Sequence, residues 1–157
     1  ILNGALFPVT DRLSDLGAPA VYRIGPADRD HADSSYVEVT TTATAKALTP
    51  LAPVQLKARR TAAGVEISFM RCGRIDADAW EAVDIPQGEA SESYRLSLRR
   101  PSGGSRSWKL AEPSVLYANA DEIADFGARR QTLDLEVAQI SAAVGEGFIA
   151  SQTVAVS

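Results

Sequence analysis

Apolar and polar residues alternate with a period of two along most of this chain, and sustained helical periodicity is rare. In "VEISFMR" (65–71), Val65, Ile67 and Phe69 fall on one side and Glu66 and Ser68 on the other, as in a strand with one buried face. "SYRLSLRR" (93–100) groups Tyr94, Leu96 and Leu98 in the same way. "TLDLEVAQI" (132–140) directs Leu133, Leu135 and Val137 inward and Asp134, Glu136 and Ala138 outward. Further strands are predicted over 20–24, 36–42, 54–60, 79–85, 106–110 and 148–156, between turn signals such as "TAAG", "PSGGS" and "AAVGEG". "PSVLYANADEIADFG" is the helix-like exception: Leu116, Ala120 and Ile123 share a helical face, and Gly127 is a natural stop.

The alternation fails over "TATAKALTPLAP", which carries Pro50 and Pro53. Proline fixes its own φ and biases its predecessor towards extended backbone, so this stretch reads as a stiff linker. Residues 1–49 are therefore assigned to the β-rich end of a preceding region plus linker, and residues 50–157 to a separate module. Short strands at regular spacing with frequent turns predict an all-β fold there, an antiparallel β-sandwich of the immunoglobulin or fibronectin type III kind.

Composition narrows the chemistry. Of 157 residues, 45% are apolar, enough for a packed core and too many for a disordered chain. The net charge of -4, with both signs mixed along the chain, argues against a nucleic-acid or anionic-membrane partner held by simple electrostatics. No apolar run approaches the roughly 20 residues that cross a bilayer, and Ile1-Leu2-Asn3 has no signal-peptide character. A start without methionine reads as processing or as a piece of a longer chain. The single cysteine, Cys72, allows no internal disulfide, and the single histidine, His31, rules out sites built from two or more His ligands.

The remaining motifs have plain readings. Asp76, Asp78, Glu81 and Asp84 in "RIDADAWEAVD", and "DRDHAD" (28–33), resemble the opening of a calcium loop. Both lack the glycine and terminal glutamate of an EF-hand, so both read as solvated loops. His31 reads as a solvated loop residue, and Cys72, between Arg71 and Arg74, as a structural or incidental thiol. "GEG" and "SGG" precede no Lys-Ser/Thr and open no helix, so they are turns, and "DFG" (125–127) is a helix end. Trp80 suits a sandwich core. Trp108 flanks an exposed tip and is a candidate contact, as are Arg71, Arg74 and Arg100. No catalytic set, cofactor site or metal site is assigned.

Residues 53–157 resemble fibronectin type III domains through "PVQLKA", "VEISF", "YRLSL" and "LDLEVAQISAAVGEGFIASQTVAV". Phe69 stands where such domains usually carry tryptophan, and Leu133 where they carry the corner tyrosine. The order of "LTPLAPVQLKARR", "FMRCGRIDADAW", "PQGE", "YRLSL" and "DFG…LEVAQIS" is similar to the C-terminal region of a tail-tip protein. That family is the baseplate hub, or host-specificity protein, of gene transfer agents and related long-tailed phages. Gln55, Phe69, Cys72 and Gln87 depart from its usual His, Trp, Arg and Leu.

The resemblance implies a structural role rather than turnover. It implies a homotrimer within a larger chain, other tail baseplate proteins as partners, and contact with a host cell-surface glycan or the envelope. It implies a virion location at the tail tip, after assembly in the bacterial cytoplasm and release. The alternative is a carbohydrate-binding or fibronectin accessory module of a secreted polysaccharide-active enzyme, which would present Trp80 and Trp108 on one exposed face. An enzyme in its own right would need carboxylates of raised pKa in a cleft, for instance Asp78 and Glu81.

Overall fold

The computed structural model describes residues 12–73, 89 and 91–157. Two compact units divide the chain, one over residues 1–47 and one over 48–157. The expected strand over 79–85, together with Arg74, Trp80 and the acidic residues between 76 and 84, lies outside the described residues.

In the first unit, β1 (Pro19–Ile24) and β2 (Val37–Thr42) form an antiparallel ribbon, in register from Pro19 opposite Thr42 to Ile24 opposite Val37. Both strands fall where alternation places them. The loop between them folds on Tyr36, whose hydroxyl donates to the carbonyl of Pro26 at 2.9 Å. The Tyr36 ring stacks on His31, with centroids 5.4 Å apart. Gly25 is required beside that ring, because a Cβ there would stand 2.5 Å from its atoms.

The second unit holds two antiparallel sheets. One joins β3 (Val54–Arg60), β4 (Gly64–Met70) and β7 (Ser114–Ala118), in the order β3-β4-β7. The other joins β5 (Tyr94–Arg99), β6 (Ser105–Leu110), β8 (Thr132–Ser141) and β9 (Gly145–Ala155), in the order β6-β5-β8-β9. Inward positions from both sheets make one core of Leu56, Val65, Ile67, Phe69, Tyr94, Leu96, Leu98, Tyr117, Leu133, Leu135, Val137 and Val154. The all-β expectation holds in this form: antiparallel sheets, a shared apolar core and a single short helix among the described residues.

The helix expectation is corrected in two respects. Only the second half of the helix-like segment is helical: Ser114–Ala118 is strand β7, paired with β4, and α1 runs Asn119–Phe126. Burial of Tyr117 against the core outweighs helical propensity in the first half. The shared face of Leu116, Ala120 and Ile123 is not the buried one, since Leu116 and Ile123 are about half exposed. Gly127 does end the helix, in the left-handed conformation at φ 72°, and its N–H donates to the Ile123 carbonyl. Ala138 lies on the outward face, opposite Arg95 as its parity predicts, but is fully buried there.

Ala138 sits next to a bulge. Pairing of β8 with β9 runs from Ala138 opposite Ile149 to Ile140 opposite Glu146, so β9 carries one extra residue there. The displaced strand meets Pro50, whose carbonyl accepts the Phe148 N–H at 3.0 Å. Gly147 lies beneath this contact: a Cβ would come within 2.6 Å of the Pro50 oxygen and 3.0 Å of the Gln139 oxygen. Gly147→Ala is expected to destabilise the second unit by about 1–3 kcal/mol through overpacking, measured by urea unfolding. An unchanged midpoint would mean that Pro50 does not pack here.

Candidate functional site

The most organised polar group of the second unit is built around α1. Its acids Glu122 and Asp125 are three apart, so both lie on one helical face, and that face is turned inward. The Glu122 side chain is 0% exposed. It accepts hydrogen bonds from Nη1 and Nη2 of Arg60 on β3, at 2.5 and 3.1 Å, and from the Arg130 N–H at 2.7 Å. Arg60 also donates to the Arg130 carbonyl at 2.7 Å. Burial alone pushes the Glu122 carboxyl up, but the Arg60 and Arg130 hydrogen bonds and the Arg60 charge outweigh it and hold the group below its usual range.

Asp125, 4% exposed, accepts Arg106 Nε at 2.5 Å and Nη2 at 3.2 Å from β6. It also accepts the Tyr117 hydroxyl at 2.9 Å and faces Arg100 Nη1 at 3.5 Å. Its Arg106 hydrogen bond is the main reason its carboxyl titrates below the usual range. Burial, then the bond to Asp125, push the Tyr117 phenol up. Trp108 packs edge-on against Tyr117 at 5.7 Å and 78°, and the Arg106 guanidinium sits over the same ring at 5.9 Å. Near neutral pH, therefore, Asp125 stays an acceptor and Tyr117 a donor.

Arg100 and Trp108, two of the predicted contact residues, are brought together here, and both are engaged within the domain. Arg71 lies elsewhere. Its Nε is 3.2 Å from Glu92, next to Tyr94, whose phenol is pushed up to about 12, first by burial and then by Glu92. Arg74 lies outside the described residues. Cys72 is half-buried. Sequence reasoning missed Glu122, Asp125, Arg60 and Arg106. The available signal was the pair of acids three apart on a short helix.

The outer face of the four-stranded sheet is a lattice of paired polar groups. Arg95 binds Glu146 through two nitrogens, Arg99 meets Glu136 at 3.0 Å, and Thr153 donates to Asp134 at 2.6 Å. The Ser97 and Ser107 hydroxyls meet at 2.8 Å. A shallow hollow of about 300 Å³ crosses this face, lined by Arg99, Asp134, Glu136, Ser151 and Thr153 among others. Among the described residues, no three His, Cys, Asp or Glu side chains are grouped to hold a metal ion, and no helix is long and apolar enough to cross a membrane.

Together these features define an all-β protein whose second unit packs two antiparallel sheets on one core, with a short helix tied by part-buried ion pairs to a strand of each. No family model matches the chain, and no curated protein matches it in sequence.

Proposed function

We propose that the chain is a structural module of a phage-like tail baseplate of the gene transfer agent kind. In this reading it forms part of the tail tip within a larger homotrimer and contacts the host envelope during attachment and DNA delivery. Its second unit is a fibronectin type III-like sandwich. The observation that carries the reading is the agreement between motif order and strand order. "PVQLKA" supplies β3, "VEISF" β4, "YRLSL" β5 and "LEVAQIS" β8. With β6, β7 and β9 they take the orders β3-β4-β7 and β6-β5-β8-β9, which correspond to strands A-B-E and C′-C-F-G of such a sandwich. Leu133 leaves the usual corner tyrosine absent from the start of the F strand. Tyr117, at the end of the E strand, anchors the same corner instead by donating to Asp125 and, at 3.3 Å, to the Asp121 carbonyl.

The paired surface lattice suits contact between proteins or with a polar cell surface. The reading predicts that antibody raised against this chain, gold-labelled and viewed by electron microscopy, marks the tail tip of particles. It also predicts that the intact parent protein has the mass of a trimer by light scattering. Label confined to capsids, or a monodisperse monomer, would overturn it.

A further inference from the structure

In the first unit, the two faces of the β1–β2 ribbon differ in chemistry. On one, Arg23 stands opposite Glu38 and Val21 opposite Thr40. On the other, Tyr22 stands opposite Val39 and Ile24 opposite Val37, with Thr41 at the far end opposite Ala20. Beside this second face lies a hollow of about 570 Å³, lined by Tyr22, Arg23, Ile24, His31, Tyr36 and Thr41. The loop that supplies His31 and Tyr36 is held in shape from within. The Tyr36 hydroxyl is engaged by the Pro26 carbonyl, Asp30 accepts the Ala32 N–H at 2.8 Å, and Asp33 accepts the Ser35 N–H at 2.9 Å. Three lining groups are left over. The His31 imidazole, the Arg23 guanidinium and the Thr41 hydroxyl make no side-chain hydrogen bond among the described residues.

We propose that this hollow is a subsite for a neutral hexopyranose residue of a glycan. Such a ring has an apolar C–H face and a rim of hydroxyls, each able to donate and to accept. Tyr22, Ile24 and Tyr36 offer aromatic and aliphatic surface to the face, and Thr41, His31 and Arg23 offer hydrogen-bonding groups to the rim. A few polar groups converging on a mostly apolar hollow of this size is the usual make-up of a small-molecule site. The charge nearby selects a neutral ligand. Arg23 and Arg29 nearly balance Asp28, Asp30 and Asp33, so neither an anion nor a cation meets a field of one sign. A wholly apolar occupant would take three polar groups from water and return no hydrogen bonds, which is unfavourable. Because the loop is braced by its own turn bonds, little ordering is needed on binding. The assignment goes beyond the tail reading, which names no residue of the first unit, and stands on the geometry of that unit alone. Particle labelling and sugar binding can therefore fail separately.

The test is nuclear magnetic resonance of the full chain with methyl glucoside, methyl galactoside, methyl mannoside, maltose and lactose, and with p-cresol as an apolar probe. The expected result is saturation transfer to at least one of the sugars. Amide shifts should centre on Tyr22, Ile24, His31 and Thr41 and leave the second unit, Leu48–Ser157, unmoved. Thr41→Val removes the hydroxyl and keeps the branched side chain that suits a strand. It and His31→Ala are each expected to weaken sugar binding several-fold, and the double variant more than either, while the amide spectrum shows the ribbon still paired. No transfer to any of these sugars would overturn the proposal, as would binding of p-cresol alone. Shifts confined to the second unit, or a double variant that binds as tightly as its parent, would overturn it equally.

Discussion

Replacing Phe69 with alanine is expected to cost the second unit about 3–5 kcal/mol, the range for removing a buried aromatic ring. Phe69 is 4% exposed and lies on β4, the central strand of its sheet. Its ring meets the Tyr94 ring of the opposite sheet edge-on, with centroids 5.0 Å apart at 76°. That contact joins the two sheets, so truncation removes packing from both and leaves a void between stiff strands with little freedom to collapse. The check is urea unfolding at neutral pH, with Met70→Ala on the exposed side of the same strand as control. A loss no larger than that of the control would mean that Phe69 does not face the core. Phe69→Trp is expected to cost less than Phe69→Ala, because it restores contact at the price of local overpacking.

The second large effect is electrostatic. Glu122→Ala is expected to cost about 3 kcal/mol, near the lower end of the range for breaking a buried ion pair. Arg60, with its side chain 24% exposed, can turn part of its charge to water once its partner is gone. The same pair makes stability depend on pH with a defined sign. Glu122 and Asp125 both have folded-state pKa values lowered from the ordinary 4.5 and 3.8. Their stabilisation is therefore present in full above the unfolded carboxylate range, and is lost as pH falls through the lower folded values. Urea midpoints should be level from neutral pH down to about 5 and then fall steeply in acid, since protonation begins to count near the unfolded values. In Glu122→Gln that acid slope should be shallower. An identical slope would show that Glu122 titrates alike in the folded and unfolded chain.

The residues of the core were legible from the sequence for a simple reason. In a strand, a side chain's exposure follows the parity of its position, so Val65, Ile67 and Phe69, or Leu133, Leu135 and Val137, identify themselves without reference to any partner. Ala138 keeps its outward parity, opposite Arg95 on β5, and is nonetheless fully covered, so exposure does not follow parity alone. The site was far less legible. Helical periodicity across 113–127 promoted apolar Leu116 and Ile123, whereas the structure buries acidic Glu122 and Asp125. A buried carboxylate is tolerated only where cations reach it, and Arg60 and Arg106 on strands, with Arg100 in the turn after β5, stand 62, 19 and 25 residues away from the acids they meet.

The sequence by itself determined the strand segments, their inward faces, the proline-marked joint and the glycine that ends α1, because each depends on a residue's own chemistry and its near neighbours. Tertiary structure alone decided the order of strands in the two sheets, the parallel bridge between Ala58 and Val156, and the conversion of surface-like arginines and acids into part-buried ties. Those features depend on which distant groups meet. Alternation records only whether a side chain faces the core, and says nothing of which strand lies beside it.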